Sequence, residues 1–287
     1  MGGVVACSAT TIRTSRSGFT PWDCIERSPY STAFGRRQQP APTGIAAFLG
    51  WAFQGVGPSA DAKVAIASSP PSKVPGIGLR FGDAEPKVAI YCGAKVRRES
   101  YAPLAQAVAE QIGEGVLVLQ SPQALGLCVY AIKPPTVATV LERFPTVTCI
   151  AGHSIGGLWA VEYCRDLYEA GGWPSAGLEF VHLGVHGKGV SLAPFRELPF
   201  KSVGWTIATE DCTMLRAAEG DEPAYMLRAM KELPEGAKVF KFDGGNHEQY
   251  GDYGSPGPAQ GLAYKDNAAS MPGEEQREAD PPWRSPR

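Results

Sequence analysis

Between residues 87 and 242, short apolar runs alternate with segments whose apolar positions recur every three or four residues. Residues 87–92 (Lys-Val-Ala-Ile-Tyr-Cys) form one such run, closed by Gly93, and predict a buried strand. Residues 100–113 follow with Tyr101, Leu104, Ala105, Val108 and Ile112 on one helical face, stopped by Gly113. Further strands are predicted over 116–119, 146–151, 178–185, 203–208 and 238–242. Further helices are predicted over 136–144, 155–168 and 222–231, the first of them bracketed by Pro134-Pro135 and Pro145. Near-continuous apolar strands alternating with amphipathic helices predict an α/β protein, a doubly wound, mostly parallel sheet with helices on both faces.

The chain has 287 residues and a net charge of -2 with pI near 6.1, so nothing in its electrostatics argues for nucleic acid as a partner. No apolar run approaches the roughly 18 to 20 residues that span a bilayer, so no stable membrane anchor is expected. Seven cysteines are an odd and sparse set, which argues against a disulfide framework. Cys92, Cys149 and Cys164 sit at apolar positions and read as small core residues. Cys212 reads as exposed but unactivated, having no cationic neighbour in sequence.

The first sixty residues break the pattern. They hold five Arg and no Lys, and Asp23 and Glu26 are their acids. An Arg- and Ser-rich, acid-poor start reads as a transit peptide. Arg36-Arg37, the short apolar stretch 44–56 and Ala60-Asp61-Ala62 add the order of an export signal. The expectation is therefore a chloroplast address, extending to the thylakoid lumen, on residues 1–62. A hydrolytic domain is expected over 63–277 and an unstructured tail over 278–287.

The sharpest chemistry lies in Gly152-His153-Ser154-Ile155-Gly156-Gly157, a G-x-S-x-G pattern directly after a predicted strand and before a predicted helix. Such a turn lifts a serine hydroxyl above the sheet edge, and small flanking residues let the backbone pass closely. That hydroxyl needs a base. His153 lies inside the turn and should face away; His247, ending a glycine-rich turn after the last strand, is the candidate. Asp211, just past the preceding strand, is the candidate acid, with Glu210 the near alternative and Asp243 or Asp252 behind it. Two backbone N–H groups would complete an oxyanion hole, Ile155 after the serine and Ala94 in the loop after the first core strand. His182 and His186 stand four apart, but in a β-rich run with no third ligand, so neither metal nor cofactor is expected.

Three ordered segments carry a family resemblance. They are Cys92-Gly93-Ala94-Lys95-Val96 running to Tyr101-Ala102-Pro103-Leu104-Ala105, the serine turn, and Gly244-Gly245-Asn246-His247-Glu248-Gln249-Tyr250-Gly251-Asp252-Tyr253-Gly254. The stretch from Asp266 to Glu274-Glu275-Gln276 extends it. Together they resemble the fold-5 branch of the α/β-hydrolase superfamily over residues 78 to 277. The resemblance implies the α/β-hydrolase fold and a Ser154–Asp211–His247 triad. Cys92 and Ala94 depart from the family's usual Pro and second Gly.

The link from Val185 to Lys201, about sixteen residues, is too short for a helical cap domain. A minimal cap implies an open site for small or exposed acyl substrates. The expected activity is that of a serine hydrolase of the esterase type, acting on a small ester-like molecule through an acyl-enzyme. The alternative is a catalytically silent hydrolase fold that binds a ligand or protein.

Overall fold

The apolar runs pair into one sheet of eight strands. The computed structural model describes residues 56–94, 96–119, 134–185, 191–253, 269–273 and 276. The address signals expected before residue 56, the tail expected after 277, Lys95 and His186 lie outside these. The chain divides after Arg37 into two units, and all described residues belong to the second, Gln38–Arg287.

The strands are β1 (Ser72–Val74), β2 (Gly78–Phe81), β3 (Pro86–Tyr91), β4 (Gly115–Leu119), β5 (Cys149–His153), β6 (Glu179–Leu183), β7 (Ser202–Ala208) and β8 (Lys238–Phe242). Their order across the sheet is β1-β2-β4-β3-β5-β6-β7-β8. β1 and β2 pair antiparallel, β2 runs antiparallel to β4, and the rest are parallel. The strand expected over 146–151 begins later, at Cys149, where β3 and β6 first flank it: Cys149 faces Val88 on one side and Glu179 on the other.

Alternation along each strand explains why these runs are apolar throughout. Val88, Ile90, Val116, Val118, Ala151 and Val181 fill one face, while Ala89, Tyr91, Leu117, Leu119, Ile150 and Phe180 fill the other. Both faces are covered, so neither set of positions tolerates polar side chains.

The helices are α1 (Ala60–Ser68), α2 (Ala102–Ile112), α3 (Val137–Arg143), α4 (Ile155–Glu169), α5 (Ala193–Glu197), α6 (Cys212–Ala218) and α7 (Glu222–Glu232). Their ends follow local chemistry. Thr136 caps α3 through its hydroxyl, Asp221 caps α7 through its carboxylate, and Gly113 ends α2 in the left-handed region at φ 69°.

α1 carries no apolar period, yet it is part of the folded unit. Ser59 caps it, Ala62 is fully buried, and Val56 bridges Val96. Gln106 Nε2 donates to the carbonyls of Ala65 and Ser69, and Ser59 N–H donates to Asp252 O. The boundary expected between Ala62 and Lys63 therefore falls inside a packed helix. The link from β6 to β7 carries α5, whose Phe195 is buried against Phe180. No helix among the described residues is long and apolar enough to cross a membrane.

Candidate active site

Four candidate segments gather at the carboxyl edge of the parallel strands, where open α/β sheets bind ligands. Ser154 follows β5, Asp211 follows β7, His247 follows β8, and Ala94 follows β3.

Ser154 lies at φ 53°, ψ -131°, between the last residue of β5 and the first turn of α4. A non-glycine residue in this region costs about 1–3 kcal/mol and persists only where its surroundings enforce it. The enforcement is visible in the glycines. A Cβ on Gly152 would stand 2.6 Å from Gly157 N, and one on Gly156 would stand 2.6 Å from Tyr91 O. Ser154 N–H donates to Leu183 O at 3.0 Å, anchoring the turn to β6. Its side chain is half-buried. Ile155 opens α4, in the first turn where helix geometry supplies no acceptor for the N–H.

Asp211 is fully buried and His247 is 2% exposed. Oδ2 of Asp211 stands 2.8 Å from His247 Nδ1. Oδ1 accepts from Thr213 N–H at 2.7 Å, Thr213 Oγ1–H at 2.5 Å and Met214 N–H at 3.2 Å. The carboxylate thus caps α6 with one oxygen and holds the imidazole with the other. Charge-assisted bonds of this kind offset its removal from water. Glu210 is half-buried; its backbone N–H donates to Gly245 O, tying the acid loop to the histidine loop. Asp243 pairs with Lys241 at the surface. The structure therefore brings Asp211 to His247, and neither Glu210 nor Asp243.

The histidine loop is held from outside by a residue to which sequence reading gave no role. Gln276 is buried; its Oε1 accepts from Asn246 N–H and its Nε2 donates to Asn246 O, both at 3.1 Å. Gln249 Nε2 donates to Met271 O at 2.7 Å, and Ser270 and Met271 N–H both donate to Gly244 O. The one available signal was the resemblance of the 266–276 stretch to the family's tail.

His153 is buried beside this site, with its ring centroid 4.6 Å from that of His247 and 5.5 Å from that of Tyr250. Burial first, and then the charge of His247, hold its pKa well below 6.5, against the opposing pull of Asp211 and the His247 backbone. His182 lies in the core, edge-on to Phe195 and Trp205. The expectation of an exposed Cys212 is corrected: it is 5% exposed, because α6 turns it inward at its first residue. Burial also pushes the thiols of Cys92, Cys149 and Cys164 upward, as suits core residues.

Residues 87–172, running from β3 through α4, match the model of the alpha/beta hydrolase family. With the sheet order above, this match gives the chain the α/β-hydrolase fold that the three motifs implied. No curated protein matches the sequence. Among solved structures it is similar to a hormone-sensitive lipase from a metagenome library, at 13% identity over 67% of this chain and 84% of that one, TM-score 0.43. It is also similar to an esterase of Pyrobaculum calidifontis, at 14% identity over 75% and 89%, TM-score 0.45. A third is carboxyl esterase 2 of the mycorrhizal fungus Tuber melanosporum, at 13% over 64% and 79%, TM-score 0.44.

Proposed function

We propose that the protein is a serine hydrolase that cleaves carboxylic esters through an acyl-enzyme. The observation that carries this reading is Ser154, a serine held in strained backbone at a strand-to-helix turn, one residue from the ring that packs on His247. In this reading Ser154 Oγ attacks the ester carbonyl while His247 Nε2 takes its proton. Asp211, bonded to Nδ1, keeps that tautomer and stabilises the imidazolium. The N–H groups of Ala94 and Ile155 receive the oxyanion. Collapse expels the alcohol, protonated by His247; water activated by His247 then releases the acid and restores Ser154. The short link between β6 and β7, with Phe195 turned into the core, favours small or exposed acyl groups.

The test is mass spectrometry of the full chain after exposure to a fluorophosphonate, beside Ser154→Ala and His247→Ala. The expected result is one adduct on Ser154, absent in Ser154→Ala and slowed about a hundredfold or more in His247→Ala. A folded wild-type protein that forms no adduct overturns the reading and makes the chain a silent fold used for binding.

A further inference from the structure

Tyr101 ends the 3-10 turn Arg98–Tyr101 and leads into α2, and it is fully buried. A tyrosine in such a place could serve as packing alone, yet its hydroxyl lies between two elements of the candidate site. Oη accepts from Gly93 N–H at 2.7 Å and stands 2.7 Å from His153 Nδ1. A peptide N–H can only donate, so the phenol oxygen is the acceptor toward Gly93, while the hydroxyl and Nδ1 share the second hydrogen bond. His153 is neutral there, the state that its burial favours.

Gly93 opens the loop that carries the Ala94 N–H. Glycine has little backbone preference of its own, so the direction of that loop must be imposed by neighbours. Three contacts impose it. The Gly93 N–H is tied to Tyr101, and the Gly93 carbonyl accepts from Val96 N–H at 3.4 Å. His153 closes the third side, since a Cβ on Gly93 would stand 2.8 Å from its Nδ1. The Gly93 carbonyl and the Ala94 N–H belong to one rigid peptide plane and point in opposite directions. Pinning the carbonyl toward Val96 therefore aims the Ala94 N–H to the other side. The loop runs directly against the start of α4, because a Cβ on Gly156 would collide with Cys92 O.

We propose that Tyr101 is a positioning residue for acyl transfer: its hydroxyl, braced by His153, fixes the Gly93–Ala94 peptide so that the Ala94 N–H meets the developing oxyanion. The inference rests on the serine-hydrolase reading. It gives a role to the tyrosine of the Tyr101-Ala102-Pro103-Leu104-Ala105 segment beyond packing in the core.

The experiment uses the full chain and Tyr101→Phe, which keeps the ring and removes only the hydroxyl. Five quantities are read: fluorophosphonate labelling of Ser154, kcat and KM on p-nitrophenyl acetate, inhibition by an alkyl trifluoromethyl ketone, and inhibition by the matching methyl ketone. The trifluoromethyl ketone adds to the serine and forms an oxyanion; the methyl ketone binds without adding.

Complete loss of an oxyanion donor costs about 10²–10³ in kcat, so a misdirected one should cost about ten- to fiftyfold. Labelling, kcat and trifluoromethyl ketone affinity should fall together by that factor, while KM and methyl ketone affinity stay within about twofold. If all five quantities match wild type, or if methyl ketone affinity falls as far as the trifluoromethyl ketone's, the inference is overturned. Labelling of wild-type Ser154 is scored separately, so a wild type that never reacts refutes the hydrolase reading itself. Should Tyr101→Phe not fold, His153→Asn and His153→Leu carry the same test. Asn presents an oxygen near the Nδ1 position and should retain labelling, whereas Leu should lose it; equal rates refute the role.

Discussion

Replacing Asp211 by Asn tests the candidate site most directly, because the structure dictates how the new amide must sit. Oδ1 of Asp211 accepts from two backbone N–H groups and the Thr213 hydroxyl, so an asparagine that turned its nitrogen to that side would set donor against donor. The amide oxygen therefore stays at the cap, where Asn serves α6 nearly as well as Asp. The nitrogen is left facing His247 Nδ1, where the carboxylate stood at 2.8 Å. Two donors cannot share that contact, so Nδ1 must become the acceptor and the imidazole proton moves to Nε2. A histidine in that tautomer has no lone pair for the Ser154 proton.

The wrong tautomer costs about 10⁴ in kcat where it has been isolated, which at 1.36 kcal/mol per decade is about 5.4 kcal/mol of transition-state stabilisation. Folding should suffer less, by about 1.5–3 kcal/mol for the lost charge-assisted bond. The assay is kcat on p-nitrophenyl acetate at pH 8 together with urea unfolding, beside Glu210→Gln as a control that should stay within twofold. A folded Asp211→Asn protein within tenfold of wild type would refute the reasoning.

Three further outcomes follow from the packing. Gln276→Ala removes two bonds to the Asn246 backbone, whose N–H keeps its bond to Gln249 Oε1 at 3.0 Å. Urea unfolding should report a loss of about 1–3 kcal/mol, and an unmoved midpoint would count against the clamp. His153 has a folded pKa below its unfolded 6.5, so the unfolded chain takes up a proton that the folded chain refuses as pH falls below about 6.5. Lowering pH from 7.5 to 5.5 should thus destabilise wild type by up to about 1.4 kcal/mol more than His153→Gln; equal losses would show that His153 titrates freely. A chain beginning at Lys63 lacks the Ser59 cap and the buried Val56, together worth about 2.5–4 kcal/mol. It should melt several degrees below a chain beginning at residue 50, and coincident melts would return α1 to the targeting segment. Amino-terminal sequencing of the native protein then asks where processing occurs.

The legible parts of this protein share a cause: their signals are local. The runs behind β3, β4, β5, β6 and β7 are apolar because both faces of a parallel sheet are buried, and that requirement is written in consecutive residues. Gly152, Ser154 and Gly156 announce a strained turn because the clashes that forbid larger residues arise within a few positions and from the adjoining β3. His247 stood out because a histidine ending a glycine-rich turn after a strand has few other settings. The hairpin of β1 and β2 was not legible, since three- and four-residue strands with Ser, Lys and Arg among them carry too short a pattern. α1 was not legible because its helical face has almost no apolar contrast; its place comes from its Ser59 cap and from Gln106 and Val96, distant in sequence, which bond α1 and the preceding Val56.

The sequence by itself determined which residue types stand at the ends of which strands, because strand length, turn chemistry and burial are short-range demands on the chain. Only the tertiary structure decided which of the neighbouring carboxylates Glu210 and Asp211 meets His247. Adjacent residues differ in direction, and that choice depends on how the loop after β7 is tied to Gly245 and Phe242 across the sheet. It also decided that Tyr101, Gly93 and His153 share one set of hydrogen bonds, although 52 positions separate the tyrosine from the histidine. Contacts of that span exist only once β3 and β5 lie side by side.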